Sequence, residues 1–324
     1  MITGADGPKV EKDALIRPLR AADLPAADRI RRLAFGTFIG LADPLSFRGD
    51  ASPVRTRYLA DPSASFAAEV DGELVGTNFA VNWGSVGFFG PLSVHPEFWG
   101  RGIAQRLVEA ALEVFARWET RHVGLFTFSH SSQHTLLYQK FGFWPRFLTP
   151  IMAKQVGPAS GDVSWSVYSA LSEAEQRDCL ADCRELTDAW HGGLDLSLEI
   201  NATALHHFGE TVLLREGNEL IGFAVCHCGA ETEAGSGQCY VKFGAVRSGP
   251  DAEPSFTRLL AACEALAVER GVPRLVAGVN AARREAYRAM LACGFRTDVQ
   301  GLAMDRPDEA VYNQPGVYII DDWR

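Results

Sequence analysis

The sequence predicts an α/β protein of two similar domains in tandem, each with a mixed, mostly antiparallel central sheet flanked by helices. Three observations predict it. The chain has 324 residues, more than one hydrophobic core ordinarily organises, and a domain takes about 150 residues. Its halves echo one another. Ala68-Glu69-Val70-Asp71-Gly72-Glu73-Leu74-Val75-Gly76 returns as Leu214-Arg215-Glu216-Gly217-Asn218-Glu219-Leu220-Ile221-Gly222, and Phe141-Gly142-Phe143 returns as Cys293-Gly294-Phe295, an offset of 152 residues (293 − 141). Between these landmarks both halves run strand, long helix, strand, helix, a period too long for a solenoid. Val156-Gly157-Pro158-Ala159-Ser160-Gly161 has the composition of a linker. The expected domains are therefore 1–156 and 157–324.

In the first half Ile16–Leu19 opens as a strand and Leu24–Phe38 has helical character, followed by a long loop Leu41–Pro53. Phe66–Val70, Leu74–Trp83 and Phe88–Val94 read as successive antiparallel strands, the first two joined by a tight turn at Asp71-Gly72. A helix from Arg101 to about Arg117 places Ile103, Ala104, Leu107, Val108, Ala111 and Phe115 on one apolar face. His122–Phe128 is a short apolar run, as a strand between helices should be. Pro91 interrupts Phe88–Val94, and a proline cannot donate a ladder bond, so pairing breaks there. Gly316–Trp323 reads as a strand that ties this end of the second half into a sheet.

Composition narrows the function. Hydrophobic content of 47% and charged content of 22% are those of a globular protein. No apolar run approaches the ~20 residues that span a bilayer, and Met1–Lys12 lacks a basic region followed by an apolar one, so a cytoplasmic protein with no membrane partner is expected. The net charge of −9 is uneven. Residues 1–156 hold 17 Lys and Arg against 15 Asp and Glu, leaving 14 against 25 for the second half. Neither half has a basic stripe with interleaved aromatics, which excludes a nucleic-acid footprint. All seven cysteines lie in the second half, odd in number and irregular in spacing, which argues against a disulfide framework. Cys226-His227-Cys228 alternates faces on a strand and no second ligand pair follows at zinc spacing, so no metal site is expected.

The chemistry is concentrated in Leu92-Ser93-Val94-His95-Pro96-Glu97-Phe98-Trp99-Gly100-Arg101-Gly102-Ile103-Ala104. Here an apolar strand turns through two glycines into an amphipathic helix. Gly100 and Gly102 let backbone N–H groups approach an anion without a Cβ in the way, and the helix directs its positive dipole end at the same point. A dinucleotide fingerprint would need a third glycine where Gln105 stands and an acidic residue ending a second strand, whereas Glu119 follows the helix.

Residues 88–143 around this loop resemble the Gcn5-related N-acetyltransferase (GNAT) family, whose signature is an apolar strand, V-x-P, and then [QR]-x-x-G-x-[GA]. Trp99 stands at the [QR] position, where this chain departs from the pattern. The resemblance implies acetyl-CoA as co-substrate, held by Leu92, Ser93, Val94, Trp99, Gly100, Arg101, Gly102, Ile103, Ala104 and Arg106, with the pantetheine arm inserted as a surrogate strand where the central strands part near Pro91. The two arginines are spaced for the pyrophosphate and the 3′-phosphate. Ser131 falls where relatives carry an asparagine that bonds the pantetheine, and it equally suits a helix N-cap. Leu137-Tyr138-Gln139-Lys140-Phe141-Gly142-Phe143 resembles the family's L-Y-x-K-x-G-F helix, whose tyrosine protonates the departing sulfur. A phenol with pKa near 10 is protonated at neutral pH and can donate to a nascent thiolate. The base that deprotonates the amine is open among His134, His130, His95, Asp43 and Asp50, because Phe88–Val94 holds no carboxylate.

The second half has lost these features. Val246-Arg247-Ser248-Gly249-Pro250-Asp251-Ala252-Glu253 has no G-x-G and sets two carboxylates where a polyanion would sit, and Met290 replaces the tyrosine. The resemblance therefore implies an acetyl-CoA-dependent N-acetyltransferase working on a small-molecule amine through its first half. Its second half would be a degenerate copy that is structural or helps to form the amine pocket, and the chain a monomer or homodimer. A CoA-binding sensor without turnover, and transfer of a longer acyl group, are the alternatives.

Overall fold

The computed structural model describes residues 14–157 and 163–324. Met1–Lys12 and most of the Val156–Gly161 linker lie outside the described residues. In chain order the elements are β1 (Leu15–Pro18), α1 (Leu24–Phe38), α2 (Pro53–Ala60), β2 (Ser65–Val70), β3 (Glu73–Trp83), β4 (Val86–Phe89), β5 (Ser93–Val94), α3 (Ile103–Arg117), β6 (His122–Phe128), α4 (Ser132–Gln139) and β7 (Trp144–Gln155). The second half contributes β8 (Ser166–Val167), α5 (Glu173–Asp188), α6 (Ser197–Leu205), β9 (Gly209–Glu216), β10 (Glu219–Gly229), β11 (Gly235–Val246), α7 (Ala252–Glu269), β12 (Arg274–Gly278), α8 (Arg284–Ala292), β13 (Arg296–Arg306) and β14 (Ile319–Ile320). This is the expected α/β class, with mostly antiparallel strands and flanking helices.

Two compact units emerge. One comprises the described residues up to Gly49, with Pro53–Val81 and Phe89–Glu119; the other comprises Asp50–Ser52, Asn82–Phe88 and Thr120–Arg324. In the first unit β2 pairs antiparallel with β1 and β3, and β3 also pairs with β5. Leu19, Ala27, Val54, Ala67 and Phe79 form a core there. The amphipathic pattern of α3 buries Ile103, Leu107, Val108, Ala111, Val114 and Phe115, and full burial of each large side chain is worth about 1.5–3 kcal/mol. Ala104, expected on that face, is half-buried, and Val114 takes its share of the packing.

In the second unit β4 runs parallel to β6, and β13 lies between β6 and β7 as an antiparallel partner of both. β7 continues to β12, β12 runs parallel to β11, and β10, β9 and β8 follow antiparallel. Helix α7 buries Phe256, Leu259, Leu260, Cys263 and Leu266. These units cut across the halves 1–156 and 157–324 because a strand from residues 296–306 separates β6 from β7. A fragment ending at residue 156 would expose unpaired edges on both strands, and such edges template aggregation. Expression of residues 1–156 alone should yield insoluble or oligomeric protein; a soluble monomer in gel filtration would show that β6 and β7 can pair directly.

Three sequence expectations change. Phe88–Val94 is two strands, β4 and β5, separated at Gly90-Pro91-Leu92, so the proline marks a full break. The helix expected from Arg101 begins at Ile103, because Gly102 at its N-cap has φ +81°. The loop Leu41–Pro53 ends in α2, an eight-residue helix that starts on the proline, where the missing N–H is harmless.

Candidate functional site

The glycine turn is built within the first unit. Leu92 lies between β4 and β5, outside both strands. Ser93 and Val94 pair with Thr77 and Gly76 of β3, and the N–H of His95 donates to Val75 O at 2.8 Å, which pins the start of the turn. A single turn of 3-10 helix, Pro96–Phe98, is capped by His95 Nδ1, which accepts from the Glu97 N–H. His95 is thereby structural. The Trp99 indole N–H donates to Val94 O at 2.7 Å and folds this side chain back over the turn. Where the signature has a polar side chain, this chain has a brace.

Gly100 adopts φ +77° and a Cβ there would meet open space, so its bare surface is not demanded by packing. Together with Gly102 it presents the first N–H groups of the 15-residue α3, which have no partner inside the helix. This arrangement fits a polyphosphate. Arg101 sits beside it, its guanidinium 4.7 Å over the Phe98 ring and donating to Glu97 O at 3.1 Å. Arg106 donates instead to the backbone carbonyl of Ala14. One guanidinium N–H is thus used inside the unit, and the other donors of the side chain are the ones its spacing would offer to a phosphate.

Sequence reading missed two features here. The hydroxyls of Ser93 and its cross-strand partner Thr77 are buried without a hydrogen-bond partner among the described residues, an arrangement that costs roughly 1–3 kcal/mol per group unless something bonds it. Arg57, buried on α2, donates to the carbonyl of Gly90 and holds the break between β4 and β5. An arginine in the otherwise uninformative stretch Pro53–Ala60 was the only signal for it.

The second unit holds the remaining predicted residues except Asp43. β6 ends at Phe128, whose ring lies 5.7 Å from that of His130 and 6.2 Å from that of His134. Ser131 is the N-cap of α4, its hydroxyl accepting from the His134 N–H at 3.3 Å. The capping reading of Ser131 is thus observed, and its hydroxyl proton remains available to a second acceptor. Burial, and secondarily the charge of His130, lower the His134 pKa and keep its imidazole neutral near pH 7. Tyr138 is 8% exposed and packs edge-on to Phe143 with ring centroids 6.4 Å apart. Burial pushes its phenol pKa up, so the hydroxyl stays protonated across the neutral range. Asp50 bonds the Ser236 N–H at 2.7 Å and hydroxyl at 2.6 Å, and in the other unit Asp43 caps Leu45 N–H at 3.1 Å, so both carboxylates have structural work.

On β10 the alternation of faces separates the Cys226-His227-Cys228 trio. Cys226 Sγ lies 3.9 Å from Cys263 Sγ, while His227 points to Glu199 at 3.7 Å. Met290, at the place of Tyr138 in the repeat, is fully buried on α8.

Residues 30–143 match the acetyltransferase (GNAT) family. A putative acetyltransferase from Pyrococcus horikoshii has a similar fold, with a TM-score of 0.69 over 96% of this chain and 95% of that one at 14% identity. A GCN5-related N-acetyltransferase from Sphaerobacter thermophilus is similar at 0.59, covering 92% and 96% at 17% identity. So is a tandem GNAT protein from the clavulanic acid biosynthesis pathway, at 0.55, covering 90% and 98% at 13% identity. No curated protein matches the chain in sequence. No helix among the described residues is long and apolar enough to cross a membrane.

Proposed function

We propose, for a chain that belongs to the GNAT superfamily of acetyltransferases, that it transfers an acetyl group directly from acetyl-CoA to the primary amine of a small molecule, using its first half. The GNAT fold supports acyl-CoA-dependent acetyl transfer in general, and the family binds acetyl-CoA as co-substrate. The observation that carries the finer reading is the open glycine turn at the start of α3, where bare N–H groups and the helix dipole favour a polyphosphate. We place the protein in the cytoplasm.

Acetyl-CoA brings an acyl thioester that is already activated toward amines. In our reading the residues of this chain divide the rest of the work. Backbone N–H groups from Leu92 to Val94 hold the thioester carbonyl and receive its developing negative charge. Trp99–Ala104 hold the phosphates, with Arg101 alongside, and the unpartnered Ser93 hydroxyl supplies a further donor. Tyr138 keeps its proton at Oη because burial disfavours the phenolate, and releases it to the thiolate sulfur. The ammonium proton goes to His134 or His130: burial keeps the His134 imidazole neutral and able to accept, though it also disfavours the cation formed, while His130 is exposed. Ser131 offers its hydroxyl proton to the carrier arm while capping α4.

Gly102→Glu puts a side chain and a negative charge on a residue at φ +81°. It is expected to abolish CoA binding in calorimetry, where the unaltered chain should bind one CoA. Undiminished binding by the variant would remove the turn from the site. Turnover is tested by supplying acetyl-CoA with a panel of amines and detecting free thiol; a chain that binds CoA and releases none with any amine would be a sensor.

A further inference from the structure

The internal repeat can be aligned on backbone register. Gly76 faces Val94 across β3 and β5, and Gly222 faces Val246 across β10 and β11. Thr77 faces Ser93 as Phe223 faces Ala245. The parallel pairs agree at the offset of 152 that relates Val94 to Val246, since Phe88 faces Gly124 across β4 and β6, and Tyr240 faces Val276 across β11 and β12. Both pairs then stop. β4 and β6 are in register only through Phe88 and Gly124, and β11 and β12 only through Val241 and Ala277. Each half therefore contains a fork between two parallel strands.

Beyond the fork the halves differ. In the first half Leu92 is outside any strand and Ser93–Val94 pair with β3. In the second half the equivalent positions, Gly244 and Ala245, pair with β10 on one edge and with Ile320 and Ile319 of β14 on the other. The segment beside β11 is also gripped from the opposite side. Arg283 is the N-cap of α8, as Ser131 is of α4, and 283 − 131 is again 152. Its guanidinium donates to Ile319 O at 2.6 Å, to Asp321 O at 3.2 Å and to the Asp321 carboxylate at 2.7 Å. Gly316 N–H bonds Glu285 at 2.6 Å, the Tyr318 hydroxyl donates to Glu253 at 3.2 Å near the start of α7, and the Tyr318 ring lies 5.5 Å from that of Phe256. Ile319 and Ile320 are fully buried.

We infer that the second half retains a fork shaped for an extended, amide-bearing arm and fills it with the chain's own Tyr318–Asp321, which closes that half to acyl-CoA. The inference rests on the reading of the first half as the CoA-binding half. It accounts for the loss of the second glycine turn and for Glu253 at the helix start, since a tyrosine hydroxyl rather than a phosphate now meets that position. It also assigns Arg283 the task of holding a peptide backbone, where Ser131 in the first half is free to serve a ligand.

The test is amide hydrogen exchange on the full chain with and without saturating CoA, read on peptides spanning 317–322 and 93–104. Residues 317–322 should be protected without CoA and unchanged when it is added. Arg283→Met should speed their exchange at least tenfold while CoA still binds once, with Kd within threefold. Rapid exchange of 317–322 in the CoA-free protein, their release on adding CoA, or a stoichiometry of two would overturn the inference, and none of these needs the variant. The peptide 93–104 reports separately: if CoA leaves it unprotected, the reading of the first half fails, whatever the result at 317–322.

Discussion

Tyr138→Phe is expected to lower kcat by roughly 10²–10⁴-fold, the usual worth of a positioned general acid. The substitution keeps the ring that packs against Phe143 and removes the proton donor, so folding and CoA affinity should hold. One phenolic hydrogen bond contributes only about 0.5–1.5 kcal/mol. Burial raises the phenol pKa in the protein alone, so the wild-type rate should show no loss from tyrosine ionisation through pH 9. Steady-state rates with acetyl-CoA and an accepted amine, confirmed as chemistry-limited by a single-turnover experiment, decide the matter. A variant that turns over at the wild-type rate would leave Tyr138 a packing residue and pass the acid role to water.

The parts of the fold written in local periodicity were legible in the sequence: Leu24–Phe38 and His122–Phe128 are the observed α1 and β6, and the Asp71-Gly72 turn joins β2 to β3. The parts written in long-range contacts were not. Nothing near Gly124 or Gly278 announces that a Cβ on either would collide with Trp323 or Asp322, which lie across those strands. The insertion of β13 between β6 and β7 is a pairing between residues more than 140 positions apart, to which periodicity is blind. The candidate site divides in the same way. The glycine turn is a local motif and was found; Arg57 on Gly90 and the Thr77–Ser93 hydroxyl pair depend on tertiary placement and were missed.

The acidic balance of the second half has an interior component that the charge count did not reveal. Lys242 on β11 lies 2.9 Å from Glu199 and 2.7 Å from Glu233, with all three side chains 4% exposed. The Trp83 indole and His227 also approach Glu199, at 3.4 and 3.7 Å. Burial alone would raise the Glu199 pKa, but the charge of Lys242, with the hydrogen bond and charge of His227, outweighs it and holds the carboxyl at about 2. Lys242→Met would take from two buried carboxylates the ammonium they share. Removing one partner of a buried ion pair costs about 3–5 kcal/mol, so the denaturant midpoint at pH 7.5 should fall sharply. The sign of the pH effect follows from the depressed pKa. In the wild type, the contribution of Glu199 is complete above its unfolded value of about 4.5 and is lost as pH falls toward 2. In Lys242→Met the carboxyls are more easily protonated, and the neutral forms no longer need the missing charge. The gap between wild type and variant should therefore narrow between pH 7.5 and pH 4.5. A gap that stays constant over that range would mean that lost packing of the lysine stem, rather than an uncompensated charge, accounts for the destabilisation.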